Sequence, residues 1–594
     1  MLLGRIGISF AVSVLAIAGL ACSQEPARHV EPVAASCSPG AHSLSHAGDV
    51  IYPETGNGGY TSVHTDIHLR YDTGKNQFLA GTHVDLTDKA THCLTDFSLD
   101  FEHSQAGNPA GSPQLTVDSI TVNGKPAKFA FVQPTYPGDP KGQDDPDPRA
   151  HQASQTNPVG GPDDNPLPPA CSPQLGEDDD DDALNGTECP ANKLLITPQA
   201  PIDDGTHFTV TVNYTGNPGL HRDAEGATEG WYTTPGGSSM TSEPLGTEAW
   251  MPLNSHPSAK PTYDFYETAA TGKTVLCNGQ LAGKTDNKAD GDFPDGSTTW
   301  HWHAAMPIAS YLVESIIGDY QLSERTADDG IKYYEAQDRH IGAAQQKKNV
   351  AVMDKHEDIT GFESIFNGPY PYASDGVVAG IPGTSDDVEE MQTMIVFTGG
   401  KVDTDTLYHE TMHQWWGDNV TESNYNMTFF KEGLATLGED FLAARDDAGG
   451  ASDGSKFEQS LIDQFNDDYG SGGDFWTVAP SKPSPSDLFD DDYTYTRPGD
   501  TYLALYRILG RTNFIKALKT IQQTYGGATI TEPQLEAGFR QFMPNQSGAC
   551  KDRLNKFFSE WFDTGYPAGG GDNRPQITGP GLAGSGFDGD GCTL

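Results

Sequence analysis

The run Tyr408-His409-Glu410-Thr411-Met412-His413 constrains the fold more than any other part of the chain, because its H-E-x-x-H pattern implies a helix. Residues 403–406 can cap such a helix, and no helix breaker follows until Gly417. On a helix, two histidines four residues apart project from one face and can bind the same metal ion. Glu410 lies in the same turn and can reach a metal-bound water without being a ligand.

A third ligand follows at a defined distance. Eighteen residues separate His413 from Glu432, which lies in a second helical segment, Phe429 to Thr436. This helix can run antiparallel to the first and complete a His2Glu site with an open fourth position, the arrangement of a catalytic zinc centre. We therefore predict one Zn²⁺ per chain, bound by His409, His413 and Glu432. The alternative is two surface histidines on an ordinary helix.

The charge of the chain excludes some partners. Its 594 residues contain 83 Asp plus Glu against 36 Lys plus Arg, a formal net charge of -47. Such a surface repels phosphate backbones and anionic lipid, so nucleic acid is not expected as a partner.

The N-terminus predicts export. The apolar run from Ile6 to Ala21 follows a single basic residue, Arg5, so residues 1–22 are typical of a signal peptide, and residues 23–44 form a linker. Gly19 to Cys22 resembles the bacterial lipoprotein box, although that box prefers Leu three places before the Cys. Two locations stay open: a soluble secreted protein, or a bacterial cell-surface lipoprotein whose only membrane contact is a lipid on Cys22.

The cysteines suit an oxidising compartment. None of the eight forms a C-x-x-C pair, so we expect disulfides instead of a zinc ribbon or a redox motif. Cys171 with Cys189 would close a short acidic loop, and Cys550 with Cys592 would fix the tail. Spacing alone leaves the pairing open.

Residues 45–260 read as a β-rich domain. Apolar residues alternate with polar ones at Val63, Ile67, Leu69 and Tyr71, and again from Phe208 to Tyr214. Leu115 to Val122 repeats the pattern and ends at Asn123-Gly124, a dipeptide typical of a tight hairpin.

An acidic insertion at about residues 134–191 interrupts this domain. It is rich in Pro, Gly and Asp, includes five consecutive acids at Asp178 to Asp182, and has no apolar period. A solvated acidic loop and a calcium site are the two interpretations; the composition favours the loop, because calcium loops intersperse Gly among their acids.

Strands are predicted to continue from about residue 260 to 320, and helical periodicity takes over beyond Lys347. Residues 261–566 are therefore predicted to form a second, α-rich domain. Its last element has apolar residues at helical spacing: Leu554, Phe557, Phe558, Trp561 and Phe562. Residues 567–594 are a Gly and Pro-rich tail.

The residues 409–418, HETMHQWWGD, together with Lys431-Glu432-Gly433, resemble the signature of the aminopeptidase N family of zinc peptidases. Further similar segments are Gly56 to Tyr60, Ser242-Glu243-Pro244, Trp250 to Lys260, Trp300 to Tyr320 and Gly368 to Pro371, so the resemblance covers about residues 45–566. It implies an α+β protein in which an N-terminal β-rich, saddle-like domain precedes a thermolysin-like, α-rich catalytic domain.

The resemblance also implies roles. Glu410 would act as general base on the zinc-bound water, while Glu390 and Glu243 would bind the substrate's free amine. The family's G-x-M-E-N strand is degenerate here: Val388 to Thr393 is closer to an E-T-Q-T variant, which puts Glu390 at the amine-binding position.

The transition-state tyrosine of the family lies in Y-x-K/R-G, and here an extra Pro498 interrupts the match. Tyr495 keeps the spacing to Arg497 and is preferred over Tyr493. Asp418 either orients a zinc-binding histidine or is a structural residue at the helix end.

We therefore expect a zinc-dependent aminopeptidase acting on peptides with a free N-terminus. The alternatives are a zinc peptidase or hydrolase of this fold without a strict amine requirement, and a non-catalytic binding module.

Overall fold

The computed structural model describes residues 47–52, 55–105, 110–132, 192–222, 227–380, 387–471, 475–484, 487–567, 574–587 and 592. Several predictions from the sequence lie outside these residues: the signal peptide, Cys22, the linker, the acidic insertion at 134–191 and the pair Cys171–Cys189.

The first part of the chain is β-rich, as predicted. Its strands are β1 (Tyr60–Asp72), β2 (Gln77–Phe78), β3 (His83–Ala90), β4 (Phe97–Asp100), β5 (Gln114–Val122), β6 (Lys125–Pro126), β7 (Lys128–Val132), β8 (Lys193–Thr197), β9 (His207–Asn217), β10 (Leu220–Arg222), β11 (Thr228–Thr234), β12 (Gly237–Thr241), β13 (Thr262–Ala270), β14 (Thr274–Cys277), β15 (Gln280–Asn287), β16 (Ser297–Ala304) and β17 (Ser315–Gly318).

Nine of these strands form one large sheet in the order β15-β16-β13-β1-β2-β9-β5-β6, with β3 pairing with both β1 and β9. The pair β1–β13 is parallel, with His64 opposite Thr262 and Arg70 opposite Thr268. Smaller sheets join β4-β8-β7, β10-β11-β12 and β14-β17.

The predicted domain boundary at residue 260 falls inside this large sheet and has to be corrected. Strands β13, β15 and β16, between residues 262 and 304, extend the sheet that β1 begins. The β-rich part therefore continues to at least Ala304, because parallel pairing joins segments about 200 residues apart, which local periodicity cannot reveal.

Two local features test the strand predictions. Asn123 and Gly124 adopt φ of 51° and 71° between Val122 and Lys125, which are paired, so the predicted tight hairpin is confirmed. Ile67, Leu69 and Tyr71 are buried as expected, whereas Val63 is exposed. Val63 falls where the β1–β3 register shifts, between Ser62 and His64, and this bulge turns it out of the alternation.

The second part mixes helices with short strands. The strands are β18 (Tyr320–Thr326), β19 (Lys332–Asp338), β20 (Ser374–Ala379), β21 (Val388–Glu389), β22 (Ile395–Phe397), β23 (Val420–Glu422), β24 (Ala528–Ile530), β25 (Ile577–Thr578) and β26 (Ser585–Gly586). The helices are α1 (Ala343–Met353), α2 (His356–Asn367), α3 (Thr404–His413), α4 (Thr428–Asp447), α5 (Ser455–Tyr469), α6 (Arg497–Leu509), α7 (Arg511–Tyr525), α8 (Glu532–Arg540) and α9 (Gly548–Trp561).

A five-stranded sheet, β18-β19-β20-β22-β21, lies between the β-rich part and the helices. The apolar residues predicted for the last helix are all buried in α9 or directly after it, in the core of the helical part. The fold is thus α+β, with a β-rich part followed by a helical part, as expected.

The tail is tied to the helical part. A disulfide joins Cys550 at the start of α9 to Cys592, one of the pairings considered from the sequence. Cys93 also takes part in a disulfide, and Cys277 is a buried free thiol. Within the described ranges, we find no helix with the length and apolar character needed to cross a bilayer.

Candidate active site

Helix α3 carries the H-E-x-x-H residues as predicted. Asp403 caps it by accepting the backbone N–H of Thr406 at 3.1 Å, and the helix ends at His413. Leu407 and Met412 are buried in the helical core, which fixes the rotation of the helix. His409 and His413 consequently share one face, with their ring centroids 4.8 Å apart.

Helix α4 brings Glu432 to that face. Its Oε2 lies 3.2 Å from Nε2 of His409 and 3.2 Å from Nε2 of His413. Three ligand atoms thus converge within 4.8 Å of one another, and all three residues are buried or half-buried. Two imidazoles and a carboxylate are the donor set of a three-ligand zinc centre, so these residues fit the predicted metal.

The ring nitrogens that face away from this centre are held by partners. Nδ1 of His409 lies 2.6 Å from Oε1 of Glu439, and Nδ1 of His413 lies 3.0 Å from the carbonyl of Trp416. Both contacts leave Nε2 aimed at the centre. Glu439 was not predicted, although it follows Glu432 by seven residues, two helical turns, and that spacing places it on the same face of α4.

Asp418 does not orient either histidine. Its buried carboxylate contacts neither ring and has no hydrogen-bond partner among the described residues. Burial, with repulsion from Glu390, raises the pKa of Asp418 well above its usual range. The structure therefore fits the other alternative, in which Asp418 is a structural residue at the helix end.

Neighbouring charges set the pKa values of the metal triad. Burial by itself would lower the pKa of His409, but hydrogen bonds with Glu432 and Glu439 outweigh it and raise that pKa. Burial would raise the pKa of Glu432, but the positive charge of Lys431 and the neighbouring His413 hold it well below its usual range. The carboxylate is therefore ionised, as a metal ligand must be.

Glu410 lines the same pocket without belonging to the triad. Its side chain is buried, and burial together with the negative charges of Glu390 and Glu432 raises its pKa to about 8. A carboxyl group with a pKa near neutrality can both take up and release a proton, which suits a general base.

The two carboxylates predicted to bind an amine come from different parts of the chain. Glu243 follows β12, and Glu390 follows β21. Glu389, which directly precedes Glu390, connects the two segments, since its carboxylate accepts the backbone N–H of Ser242 at 2.6 Å. Ligand atoms of Glu243, Glu390 and Glu432 lie within 4.8 Å of one another, so the predicted amine site adjoins the metal triad.

Lys431 occupies the centre of this group, a role that the sequence motifs do not predict. Its Nζ lies 2.8 Å from Oε1 of Glu243 and 2.8 Å from Oε1 of Glu390, and it also contacts Glu432. The side chain is fully buried. A lysine among Phe429, Phe430 and Leu434 on a buried helix needs a charged partner. This apolar sequence context could have predicted that Lys431 is paired with acids.

Tyr495 and Tyr493 point in different directions. The ring of Tyr495 lies 5.9 Å from that of His409 and lines the pocket. Tyr493 instead faces Asp487 and Asp490, whose charges and hydrogen bonds add to burial in raising its pKa. Both lie in a π-helical turn, Asp491–Thr496, a feature that often marks functional sites.

The inserted Pro498 also has a structural place. A Cβ added to Gly433 would lie 2.4 Å from Cβ of Pro498, so the glycine after Glu432 allows the start of α6 to pack directly on α4. This close approach brings the turn with Tyr495 beside the triad.

These residues line one pocket of about 270 Å³. Besides the triad and Glu410 it includes Glu243, Glu389, Glu390, Phe489 and Tyr495. The structure therefore brings all seven predicted site residues together.

Comparison with known proteins identifies relatives. The model of the peptidase family M1 domain matches residues 394–561. Endoplasmic reticulum aminopeptidase 1 of Homo sapiens is 25% identical over 266 residues, which are 41% of this chain and 27% of that protein. The chain thus spans about a quarter of the length of this relative.

Solved structures share the fold over more of the chain. An M1 zinc metallopeptidase from Deinococcus radiodurans, in complex with the peptide Tyr-Ser-Ala, aligns with a TM-score of 0.63 at 19% identity, over 86% of this chain and 97% of the other. A two-domain M1 zinc metallopeptidase bound to L-arginine aligns with a TM-score of 0.66 at 19% identity, over 89% of this chain and 100% of the other.

Proposed function

We propose that the chain is an aminopeptidase N-like member of peptidase family M1 and a zinc-dependent aminopeptidase that removes N-terminal residues from peptides. The observation that carries this proposal is the contact between two sites. The carboxylates of Glu243 and Glu390 adjoin Glu432 of the metal triad, so a bound α-ammonium would put the first peptide bond next to the metal.

His409, His413 and Glu432 would hold the zinc ion, which in such a three-ligand site lowers the pKa of water to about 7 and polarises a carbonyl group. Glu410 takes the proton of the attacking water and passes it to the leaving amine. The hydroxyl of Tyr495 donates a hydrogen bond to the oxyanion that develops on the peptide carbonyl.

Charge balance favours a free amine. Beside the metal triad, Glu243 and Glu390 share the single positive charge of Lys431. The α-ammonium of a substrate would supply a second positive charge to these two acids. An N-acetylated peptide lacks that charge and leaves the carboxylates unbalanced.

One observation favours a second candidate, a zinc hydrolase of the same fold without a strict amine requirement. Lys431 already neutralises part of Glu243 and Glu390, and these carboxylates would then serve mainly to hold the lysine. The two candidates differ in whether N-acetylation of the substrate lowers the rate.

The test of the proposal uses purified protein and amino-acid arylamides. Wild type should hydrolyse free-amine substrates in a reaction that a chelator abolishes and zinc restores. Glu410→Gln should keep zinc and lose turnover, while Glu432→Gln should lose zinc as well. Absence of any chelator-sensitive hydrolysis would contradict the proposal and favour a binding module.

We further propose that the protein is exported and acts outside the cytoplasm, either free or anchored through lipid on Cys22. The N-terminal apolar run supports export, and the Cys550–Cys592 disulfide suits an oxidising compartment. Labelling with a radioactive fatty acid separates the two forms, since incorporation that is lost in Cys22→Ala identifies the lipoprotein.

A further inference from the structure

One face of the large sheet, away from the active site, carries a cluster of histidines and aspartates on four neighbouring strands. They are His64, Asp66 and His68 on β1, His83 and Asp85 on β3, Asp264 on β13, and His301 and His303 on β16. Strand register sets three acids side by side, because Asp264 is opposite Asp66, and Asp66 is opposite Asp85.

This arrangement of acids needs positive charge beside it. Like charges directly opposite each other on neighbouring strands destabilise a sheet. Among the described residues, every side-chain nitrogen within ion-pairing distance of Asp66, Asp85 and Asp264 belongs to a histidine. Arg70, further along the same face of β1, is engaged by Asp290 and Asp292. Compensation of the three carboxylates therefore depends on protonated histidines or on a bound cation.

Three ligand atoms converge at one end of the cluster. Nε2 of His64 lies 3.5 Å from Oδ1 of Asp66 and 3.6 Å from Oδ2 of Asp264, and all three ligand atoms lie within 4.8 Å of one another. The side chains are partly exposed, so an ion can reach them from solvent. These spacings require only small side-chain adjustments to bind one ion.

The hydrogen bonds of His64 prepare Nε2 for this role. The hydroxyl of Thr262 donates to the carbonyl of Val63 at 3.4 Å and lies 2.8 Å from Nδ1 of His64. When this hydroxyl donates to Val63 it can accept Nδ1–H of His64, the tautomer in which the lone pair of Nε2 faces the two carboxylates.

Asp264 is held in place from its other side. Its carboxylate lies 2.6 Å from Nε2 of His301 and 3.0 Å from Nδ1 of His303. Contacts of this kind fix the orientation of a ligating carboxylate.

The neighbouring group of His68, His83 and Asp85 is less suited to an ion. The rings of His68 and His83 stack with centroids 4.3 Å apart and planes only 8° from parallel. Their nitrogen lone pairs therefore lie in parallel planes and cannot both point at one ion. His68 also stacks on Tyr266, which fixes its orientation.

We propose that His64, Asp66 and Asp264 form a second metal site, which binds a divalent transition-metal ion of the Zn²⁺ class and links β1 to β13. Imidazole combined with carboxylate selects such ions over Ca²⁺ or Mg²⁺, which prefer oxygen ligands alone. The ion would replace the missing positive charge and cross-link two strands from distant parts of the chain.

The test counts zinc in the full-length protein after dialysis against buffered, low-micromolar Zn²⁺ with excess Ca²⁺ present. Wild type should retain two equivalents. Asp264→Asn and, separately, His64→Gln should retain one, with an affinity for the second ion lowered at least ~100-fold. Asp118→Asn, an exposed acid on β5 of the same sheet, is the matched control and should retain two.

Activity and thermal stability separate this site from the catalytic centre. Asp264→Asn should keep peptidase activity but show a smaller rise in melting temperature with Zn²⁺ than the wild type, because only the catalytic site still binds the ion. A single equivalent in wild type that His413→Ala removes and Asp264→Asn does not would overturn the second site and leave the proposed function intact. A single equivalent of zinc that is lost only in Asp264→Asn would support the second site and contradict zinc binding by the catalytic triad.

Discussion

The ammonium nitrogen of Lys431 lies 2.8 Å from Oε1 of Glu390, inside the group of carboxylates that is proposed to receive the substrate's own ammonium. The lysine also bridges Glu243 and Glu432, and so connects the amine site to the metal triad through one buried charge. Recognition of a substrate N-terminus in this pocket therefore means adding a second cation beside the first.

Lys431→Met should destabilise the protein by ~3–5 kcal/mol, because removing one partner leaves buried carboxylates unpaired. A ligand with a free α-amine can partly replace the lost charge. We thus expect an amino-acid amide to raise the melting temperature of Lys431→Met more than that of wild type, whereas its N-acetyl derivative should raise neither. Equal shifts in both proteins would show that the lysine and the substrate amine do not share these carboxylates.

Glu439→Ala should weaken zinc binding at the catalytic centre ~10–100-fold, because Nδ1 of His409 loses the carboxylate that holds it. The measurement is the free zinc concentration that gives half-maximal activity, which reports only on the catalytic ion. Asp446→Ala, at an exposed position on the same helix, is the control and should match wild type. An unchanged zinc requirement in Glu439→Ala would mean that the contact does not support the ligand.

Tyr495→Phe should lower kcat by about 10² or more with little change in KM, since the hydroxyl acts on the developing oxyanion. Tyr493→Phe is the matched control, because its hydroxyl faces Asp487 and Asp490 instead of the pocket. Steady-state kinetics on one arylamide compares the two variants. The reverse pattern would identify Tyr493 as the donor.

The stability of the protein should fall as pH rises from about 5 to 8. Burial raises the pKa of Asp88 to about 7 and that of Glu267 to about 8, both well above their usual values. In this pH range the folded state holds protons that the unfolded state has lost, so the free energy of unfolding decreases with pH.

Asp88→Asn and Glu267→Gln should each reduce this decrease, because an amide does not ionise, while the exposed Asp118→Asn should not. Urea unfolding at several pH values measures the effect. A pH dependence identical to wild type in both buried variants would contradict the assignment of these raised pKa values.

Local patterns predicted much of this molecule. The H-E-x-x-H residues, the Glu432 spacing and the apolar residues of α9 all follow helical periodicity, which is a property of short segments. The hairpin at Asn123-Gly124 follows from the φ angles that these two residues tolerate.

The features that the sequence did not predict arise from contacts between segments that are far apart in the chain. Lys431 acquires its partners from Glu243 and Glu390, which reach it from other parts of the chain. The boundary at residue 260 was misplaced because β13 pairs with β1, and the exposure of Val63 arises from a bulge. No short-range period encodes such pairings.

We propose that Glu390 and Glu243 bind the substrate's α-ammonium beside the metal triad. This binding is tested by kcat/KM for the free and N-acetylated forms of one dipeptide with wild type, Glu390→Gln and Glu243→Gln. Wild type should prefer the free amine, and each variant should lose on the order of 10² in kcat/KM for that substrate, because misplacement by about 1 Å is enough for such a loss. Hydrolysis of the acetylated dipeptide should stay unchanged. Equal losses on both substrates would contradict the claim, since the two acids would then serve only to hold Lys431 and the structure around it.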